Sequence, residues 1–180
     1  DPRSLSGDAR VNYDMLSEYG VSVLTQDQAS AFNHIAEQSE WVVDALLGTG
    51  LNKPLRGFYL QVVSSINKLK KDGIFKVLSI DIPSGVDADT GKVLGEAIHA
   101  DETITFCRLK PGLMLFPGCD CAGKVSVADI GIPETIPPLA RASMFSMDPE
   151  DLRRLVPERK SRSHKGLYGR VLAVCGSKTM

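Results

Sequence analysis

Residues 75–91, FKVLSIDIPSGVDADTG, hold an apolar run that stops at Asp81 and turns at once through Pro83, Ser84 and Gly85. Upstream, residues 41–51, WVVDALLGTGL, repeat the pattern: the run is broken only by Asp44 and closes on Gly48 and Gly50. A stretch apolar on both faces suits a central strand of a parallel sheet covered on both sides. Between the two lies RGFYLQVVSSINKLK (56–70), whose Leu60, Val63, Ile66 and Leu69 recur at helical spacing. Lys68, Lys70 and Lys71 suit the negative end of the helix dipole, and Gly73 stops the helix. Strand, helix and strand in this order predict parallel strands joined by a crossover helix.

The alternation extends outward. Residues 7–19 read as a helix on Ala9, Tyr13, Met15, Leu16 and Tyr19, with Gly20 as its C-cap. Residues 21–24 read as a short β-branched strand, and residues 27–37 as a helix turning Ala29, Phe32 and Ile35 inward. Further on, 102–106 and 124–130 read as strands flanking the Gly- and Pro-rich segment 111–123. The whole predicts an α/β fold with a doubly wound, mainly parallel sheet. After Ile132 the composition changes: prolines crowd the stretch to Leu139, and Asp148 to Val156 reads as a short helix behind an Asp-Pro start. Basic residues then dominate, with Arg153, Arg154, Arg159, Lys160, Arg162, Lys165 and Arg170 facing only Glu158. The expected layout is a first domain over 1–142, a linker over 143–160, and the start of a second domain over 161–180. The closing RVLAVCGSKTM reads as a buried strand with no partner after it, and the chain opens on Asp1 rather than Met. The sequence is therefore read as a piece of a longer polypeptide.

Composition narrows the function. The 180 residues carry 21 Lys and Arg against 22 Asp and Glu, a formal charge of −1, without the basic excess a dedicated nucleic-acid or anionic-membrane binder needs. With 43% hydrophobic and 24% charged residues the chain is ordinary in usage, which excludes wholesale disorder. No apolar run approaches the ~20 residues of a bilayer span, and DPRSLSGD lacks a leader's apolar core. Cys107, Cys119, Cys121 and Cys175 are too sparse for a disulfide scaffold, and PGCDCAG lacks the usual C-x-x-C spacing of zinc or redox sites. The expected setting is reducing and cytoplasmic.

Two acids sit where parallel sheets place their chemistry, at the C-terminal ends of strands. Asp44 precedes the loop GTGLNKP, and Asp81 precedes IPSG. A carboxylate buried at the end of an apolar strand is costly unless paired, hydrogen-bonded or bound to a cation. Each could also simply cap its own loop, as Asp often does. Gly48-Thr49-Gly50 lets backbone N–H groups approach a phosphate or ribose closely, but Lys53 stands where a dinucleotide fingerprint has its third glycine. Asp44 and Ser84 together could offer oxygen to a hard cation. Trp41 reads as core or domain-edge packing, His99 as a surface residue, and Asp87, Asp89 and Gly91 as a turn.

VVDALLGTGLNKP, SIDIPSGVDADTG, ADETITFCRLKPGLMLFPG and GKVSVADIGIP, in this order, resemble the epimerase domain of the bifunctional NAD(P)H-hydrate repair family. SHKGLYGRVLAVCGS resembles the opening of that family's second part, an ADP-dependent dehydratase of ribokinase-like fold. The resemblance implies a Rossmann-like first domain whose substrate is hydrated NADH or NADPH, with ADP or ATP serving the dehydratase outside this chain. It implies that Asp81 contacts the hydrated nicotinamide and acts in catalysis. It implies that Gly48, Thr49, Gly50, Leu51, Asn52, Lys53 and Pro54 embrace the substrate, and that Asp44 and Ser84 bind potassium. It further implies a homo-oligomer. The family's Asn- and Gly-rich phosphate loop has no counterpart in residues 1–40, so the 180-residue chain alone is expected to show neither activity. The competing expectation is a protein-interaction module on the same fold, which has no need to bury acids beside oxygen donors.

Overall fold

A computed structural model describes residues 4–25, 29–133, 135–136, 144–156 and 158–173. The chain divides into two units, Asp1–Glu134 and Thr135–Met180.

In the first unit, β1 (Trp41–Asp44), β2 (Lys76–Ile80), β3 (Glu102–Phe106) and β4 (Lys124–Ala128) form one sheet in the order β1-β2-β3-β4. Every neighbouring pair is parallel, with Asp44 opposite Ser79, Ser79 opposite Thr103 and Thr103 opposite Val125. The α/β, parallel architecture expected from the alternation is the one observed. Because side chains alternate along a strand, Val42, Asp44, Val77, Ser79, Thr103, Thr105 and Val125 share a face. Three helices precede or join these strands: α1 (Gly7–Glu18), α2 (Ala29–Glu37) and α3 (Gly57–Lys71).

The crossover helix α3 lies over that shared face. Its Val63 and Ile66 pack with Val77, Phe75, Ile98 and Ala100, and with half-buried Val42, Leu60 and Leu69. Burying each such aliphatic side chain stabilises the fold by roughly 1.5–3 kcal/mol. A second cluster, Ile82, Val86, Ala88, Ala97, Leu113, Cys121 and Ala122 with Val125, lies beside β4. It folds the segment after Asp81 back onto the sheet, helped by a 3₁₀ turn at Pro111–Leu113 and a short helix α4 (Gly118–Ala122).

Several expectations are corrected. Residues 21–24 form no strand: Val21, Val23 and Leu24 are exposed, and the backbone N–H of Val21 serves only to bond Leu16 behind α1. The 41–51 run is not a central strand here. It pairs for four residues at one edge of the described sheet, leaving Trp41 and Val43 exposed, before the chain turns aside to enclose the Asp44 carboxylate. In α2 the inward residue is Ala36 rather than Ile35, which is exposed; Phe32 packs on the core as expected, and the side chain of Ala29 lies outside the described residues. α1 stops at Glu18, one residue before Tyr19, and of the residues whose spacing predicts it Met15 and Tyr19 are exposed. β4 ends at Ala128 rather than Ile130, where Asp129 begins a turn by accepting the Gly131 N–H.

In the second unit, α5 (Pro149–Leu155) begins with a capping box between Asp148 and Asp151, and a 3₁₀ turn spans Lys165–Tyr168. The Tyr168 hydroxyl accepts from the Lys160 N–H and donates to Ser163. Val171 and Leu172 are exposed and not in a strand; the rest of the buried strand expected at the end, 174–180 with Cys175, lies outside the described residues. No helix among the described residues is long and apolar enough to cross a membrane.

Candidate functional site

Both strand-end acids occupy the C-terminal rim of the sheet. Asp44 is the last residue of β1 and is buried, 1% exposed. Its Oδ1 accepts from the Ser84 hydroxyl at 2.6 Å and from the Leu46 N–H at 3.4 Å. Its Oδ2 accepts from the Ser84 N–H at 2.8 Å and the Ser79 hydroxyl at 2.9 Å. Ser79 reaches it because the parallel register sets the two residues side by side. Ser84 reaches it because the rigid Pro83 turns the chain straight back over the strand end. The Ser84 Oγ also accepts from the Leu47 N–H at 3.0 Å, and the Leu47 carbonyl lies 3.3 Å from it. Carboxylate, hydroxyl and carbonyl oxygens thus gather at one point.

Asp81 follows β2 directly and has its own partners. Its backbone is left-handed, φ 71°, a conformation Asp tolerates better than most side chains. The turn is held by its own N–H donating to the Ile104 carbonyl at 2.7 Å. Its Oδ1 accepts from Lys110 Nζ at 2.6 Å, from the Thr105 hydroxyl at 3.2 Å and from the Phe106 N–H at 3.3 Å. Across from it is the loop 48–54: a Cβ placed on Gly48 would stand 4.0 Å from Asp81 Oδ2. In that loop Gly48, Thr49, Gly50, Asn52, Lys53 and Pro54 are exposed, while Leu51 packs on the core.

The structure therefore joins Asp44 to Ser84 by direct bonds and sets Asp81 against the glycine loop, with the turn 44–48 running between. It also supplies residues that sequence reasoning overlooked. Lys110 and Thr105 belong to β3 and the loop after it, and Ser79 stands two places before Asp81 in β2. Lys110 follows the C-terminal end of a parallel strand, but nothing in its local sequence marks its contact with Asp81. A cavity of about 540 Å³ lies elsewhere, lined by residues such as Trp41, Lys70, Lys76 and Asp101 near the opposite strand ends.

Burial pushes the Asp81 carboxyl up, but the Lys110 and Phe106 hydrogen bonds, the Lys110 charge and Thr105 together outweigh it and hold it below the ordinary carboxylate range. Asp101, ahead of β3, behaves alike: burial raises it, and the Val77 N–H with Lys70 and Lys76 lowers it further. Both groups are thus depressed in the folded chain. Their contribution to stability is fully present above the unfolded carboxylate value of about 3.9 and lost as pH falls through the lower folded values. Urea midpoints measured downward from neutral pH are expected to hold until about pH 4 and then decline. Replacing Lys110 by Met removes the strongest of the lowering causes, so the Asp81 share of that decline shrinks.

Residues 1–112 match the family described as YjeF-related protein N-terminus. A relative from Thermofilum pendens named bifunctional NAD(P)H-hydrate repair enzyme Nnr is 40% identical over 179 residues, covering 98% of this chain and 33% of its own length. The enzyme of the same name from Moorella thermoacetica is 35% identical with the same coverage. A Pirellula staleyi relative named NAD(P)H-hydrate epimerase is 33% identical over 139 residues, 75% of this chain and 59% of the relative. The chain spans about a third of the length of the bifunctional relatives it matches. The crystal structure of yeast ynu0, YNL200c, aligns with a TM-score of 0.57 at 22% identity, over 69% of this chain and 50% of that one, and shares the fold. With more than half its length matched by one family model, the chain belongs to the YjeF-related protein N-terminus family.

Proposed function

We propose that this chain carries the epimerase part of a nicotinamide-cofactor repair enzyme, interconverting the S and R forms of hydrated NADH or NADPH. The observation that carries the reading is the ionised Asp81 at the strand mouth, facing a glycine loop, in a chain whose matched relatives are named for this repair. In such a substrate the hydroxyl sits on the carbon beside the ring nitrogen. The C–O bond breaks with help from the nitrogen lone pair, the hydroxyl leaves as water with a proton from solvent, and an iminium cation remains. Water then adds to the opposite face and returns a proton to solvent. A fixed carboxylate beside the ring lowers the energy of that cation in both directions. Of the roles open to Asp81, the depressed pKa favours this electrostatic one over donating the proton.

Gly48 to Pro54 would cover the substrate, the glycines allowing close backbone approach. Asp44 and Ser84 would hold the potassium ion. Asp44 is a buried carboxylate without an Arg or Lys partner among the described residues, beside the Ser84 hydroxyl and the Leu47 carbonyl. That all-oxygen set with one negative charge fits a hard monovalent cation in kind. When bound, the ion supplies the positive charge that the buried carboxylate otherwise lacks. Residues 143–160 would link to an ADP- or ATP-using dehydratase part that begins at 161, a layout supported by relatives that are named bifunctional and extend well past this chain's length. The setting we propose is a cytoplasmic homo-oligomer.

In the intact enzyme Asp81→Asn is expected to slow epimerisation roughly a hundredfold, the lower range for loss of a catalytic side chain. Chromatographic separation of the two epimers over time measures it. Epimerisation at the wild-type rate would remove Asp81 from the reaction.

A further inference from the structure

We propose that Lys110 is a positioning residue for Asp81, dividing that carboxylate into a held oxygen, Oδ1, and a working oxygen, Oδ2, which is left to meet the ligand. The inference deepens the epimerase reading and rests on it for its kinetic arm.

The division follows from the donors. Three of them converge on Oδ1: Lys110 Nζ, the Thr105 hydroxyl and the Phe106 N–H. Oδ2 is the oxygen turned toward Gly48. Lys110 is as fully engaged as the oxygen it holds. An ammonium has three protons, and Nζ meets three acceptors, Asp81 Oδ1 at 2.6 Å, the Phe106 carbonyl at 2.8 Å and the Thr105 Oγ1 at 2.9 Å. Thr105 closes the triangle, accepting from Lys110 while donating to Asp81. No proton of Lys110 is left for a substrate, so its influence passes through Asp81.

The stem of Lys110 is anchored as firmly as its head. Its extended backbone leads into the 3₁₀ turn at Pro111, Gly112 donates to the Ala88 carbonyl at 2.7 Å, and Leu113 is buried in the second core cluster. A Cβ on Gly112 would come within 2.3 Å of the Asp87 carbonyl, so this loop is pressed against the one that follows Asp81. Lys110 thereby reports the position of one strand end to another. An anion held by one oxygen keeps its rotamer while offering the second oxygen in a fixed direction. That is what stabilisation of a short-lived cation requires, because the dipoles must be aligned before the charge appears.

The test uses Lys110→Met, Lys110→Arg and Thr105→Val in two measurements. In the intact enzyme, Lys110→Met is expected to lower kcat for epimerisation at least tenfold while KM changes less than threefold, and Lys110→Arg to recover most of kcat. In the 180-residue chain, with aspartate labelled by carbon-13 at the side-chain carboxyl, Lys110→Met is expected to shift the Asp81 resonance at neutral pH. Thr105→Val shifts it less, and Lys110→Arg least. Wild-type kcat in Lys110→Met alongside a slow Asp81→Asn would overturn the positioning role and leave the epimerase reading intact. If even the wild-type enzyme fails to epimerise, that reading falls, and the resonance alone decides. An Asp81 signal unmoved by Lys110→Met then overturns the division of the carboxylate. Should Lys110→Met fail to fold, Thr105→Val and Lys110→Arg carry the same comparison.

Discussion

Asp44→Ala is expected to cost the fold about 3 kcal/mol or more, since each buried donor left without a partner costs roughly 1–3 kcal/mol. The carboxylate satisfies four donors, and two of the donor residues, Ser79 and Ser84, are themselves buried. An alanine satisfies none of them. Loss of the buried charge returns part of the desolvation cost, which keeps the figure below the sum of the separate bonds. Ser84→Ala is expected to cost about 1 kcal/mol, since Asp44 keeps the Ser84 N–H, Ser79 and Leu46. Urea unfolding of the three chains measures both, with an unchanged denaturant slope confirming that the native state is the one being compared. An Asp44→Ala loss below 1 kcal/mol would mean that this carboxylate does not organise the rim.

Gly85→Ala is expected to be as damaging for a different reason. Gly85 adopts φ 104°, and a Cβ there would stand 2.1 Å from the Glu96 carbonyl oxygen and 2.6 Å from the Ala97 Cα. Both obstacles are backbone, so neither can swing aside. The two segments are also tied together, with Leu94 donating to the Gly85 carbonyl at 2.8 Å and Ile98 to that of Ser84 at 2.9 Å. The methyl must break these bonds or push the second core cluster apart, an effect on the order of 3 kcal/mol or more and a melting temperature lower by about 10 °C. Gly50→Ala is the matched control: nothing lies within 4 Å of its Cβ, and a change under about 0.5 kcal/mol is expected. Equal melting temperatures for the two variants would refute the close approach at Gly85.

The order of strands and helices was legible because apolar periodicity and glycine stops are local. Val63 and Ile66 were found on the correct face of α3 from their spacing alone. What periodicity cannot carry is rank within the sheet. Residues 41–44 are apolar on both sides, as a central strand would be, yet they form an edge of the described sheet, because pairing is decided by which strands are present beside them. Residues 21–24 have strand-like side chains and, among the described residues, no strand to pair with. At the site, the positions of Asp44 and Asp81 were legible because an acid ending an apolar run is costly without a partner, and that of Ser84 because it stands in the Pro-Ser-Gly turn directly after Asp81. Lys110 was not, since a lysine before a proline in a loop is ordinary until folding places its ammonium on Asp81. Ile35 was misplaced by one position, about 100° around a helix, and a nine-residue helix whose apolar residues are mostly alanine fixes its rotation poorly from sequence.

The edge position of β1 has a practical consequence. The chain's single tryptophan, Trp41, opens this strand, half-exposed, with Lys76 Nζ 5.4 Å from its ring centre. Its emission colour and quenching accordingly report whether the β1–β2 seam is closed. The indole lies at the strand end opposite Asp44, so it offers an optical gauge of folding that remains readable while the far rim is mutated or filled.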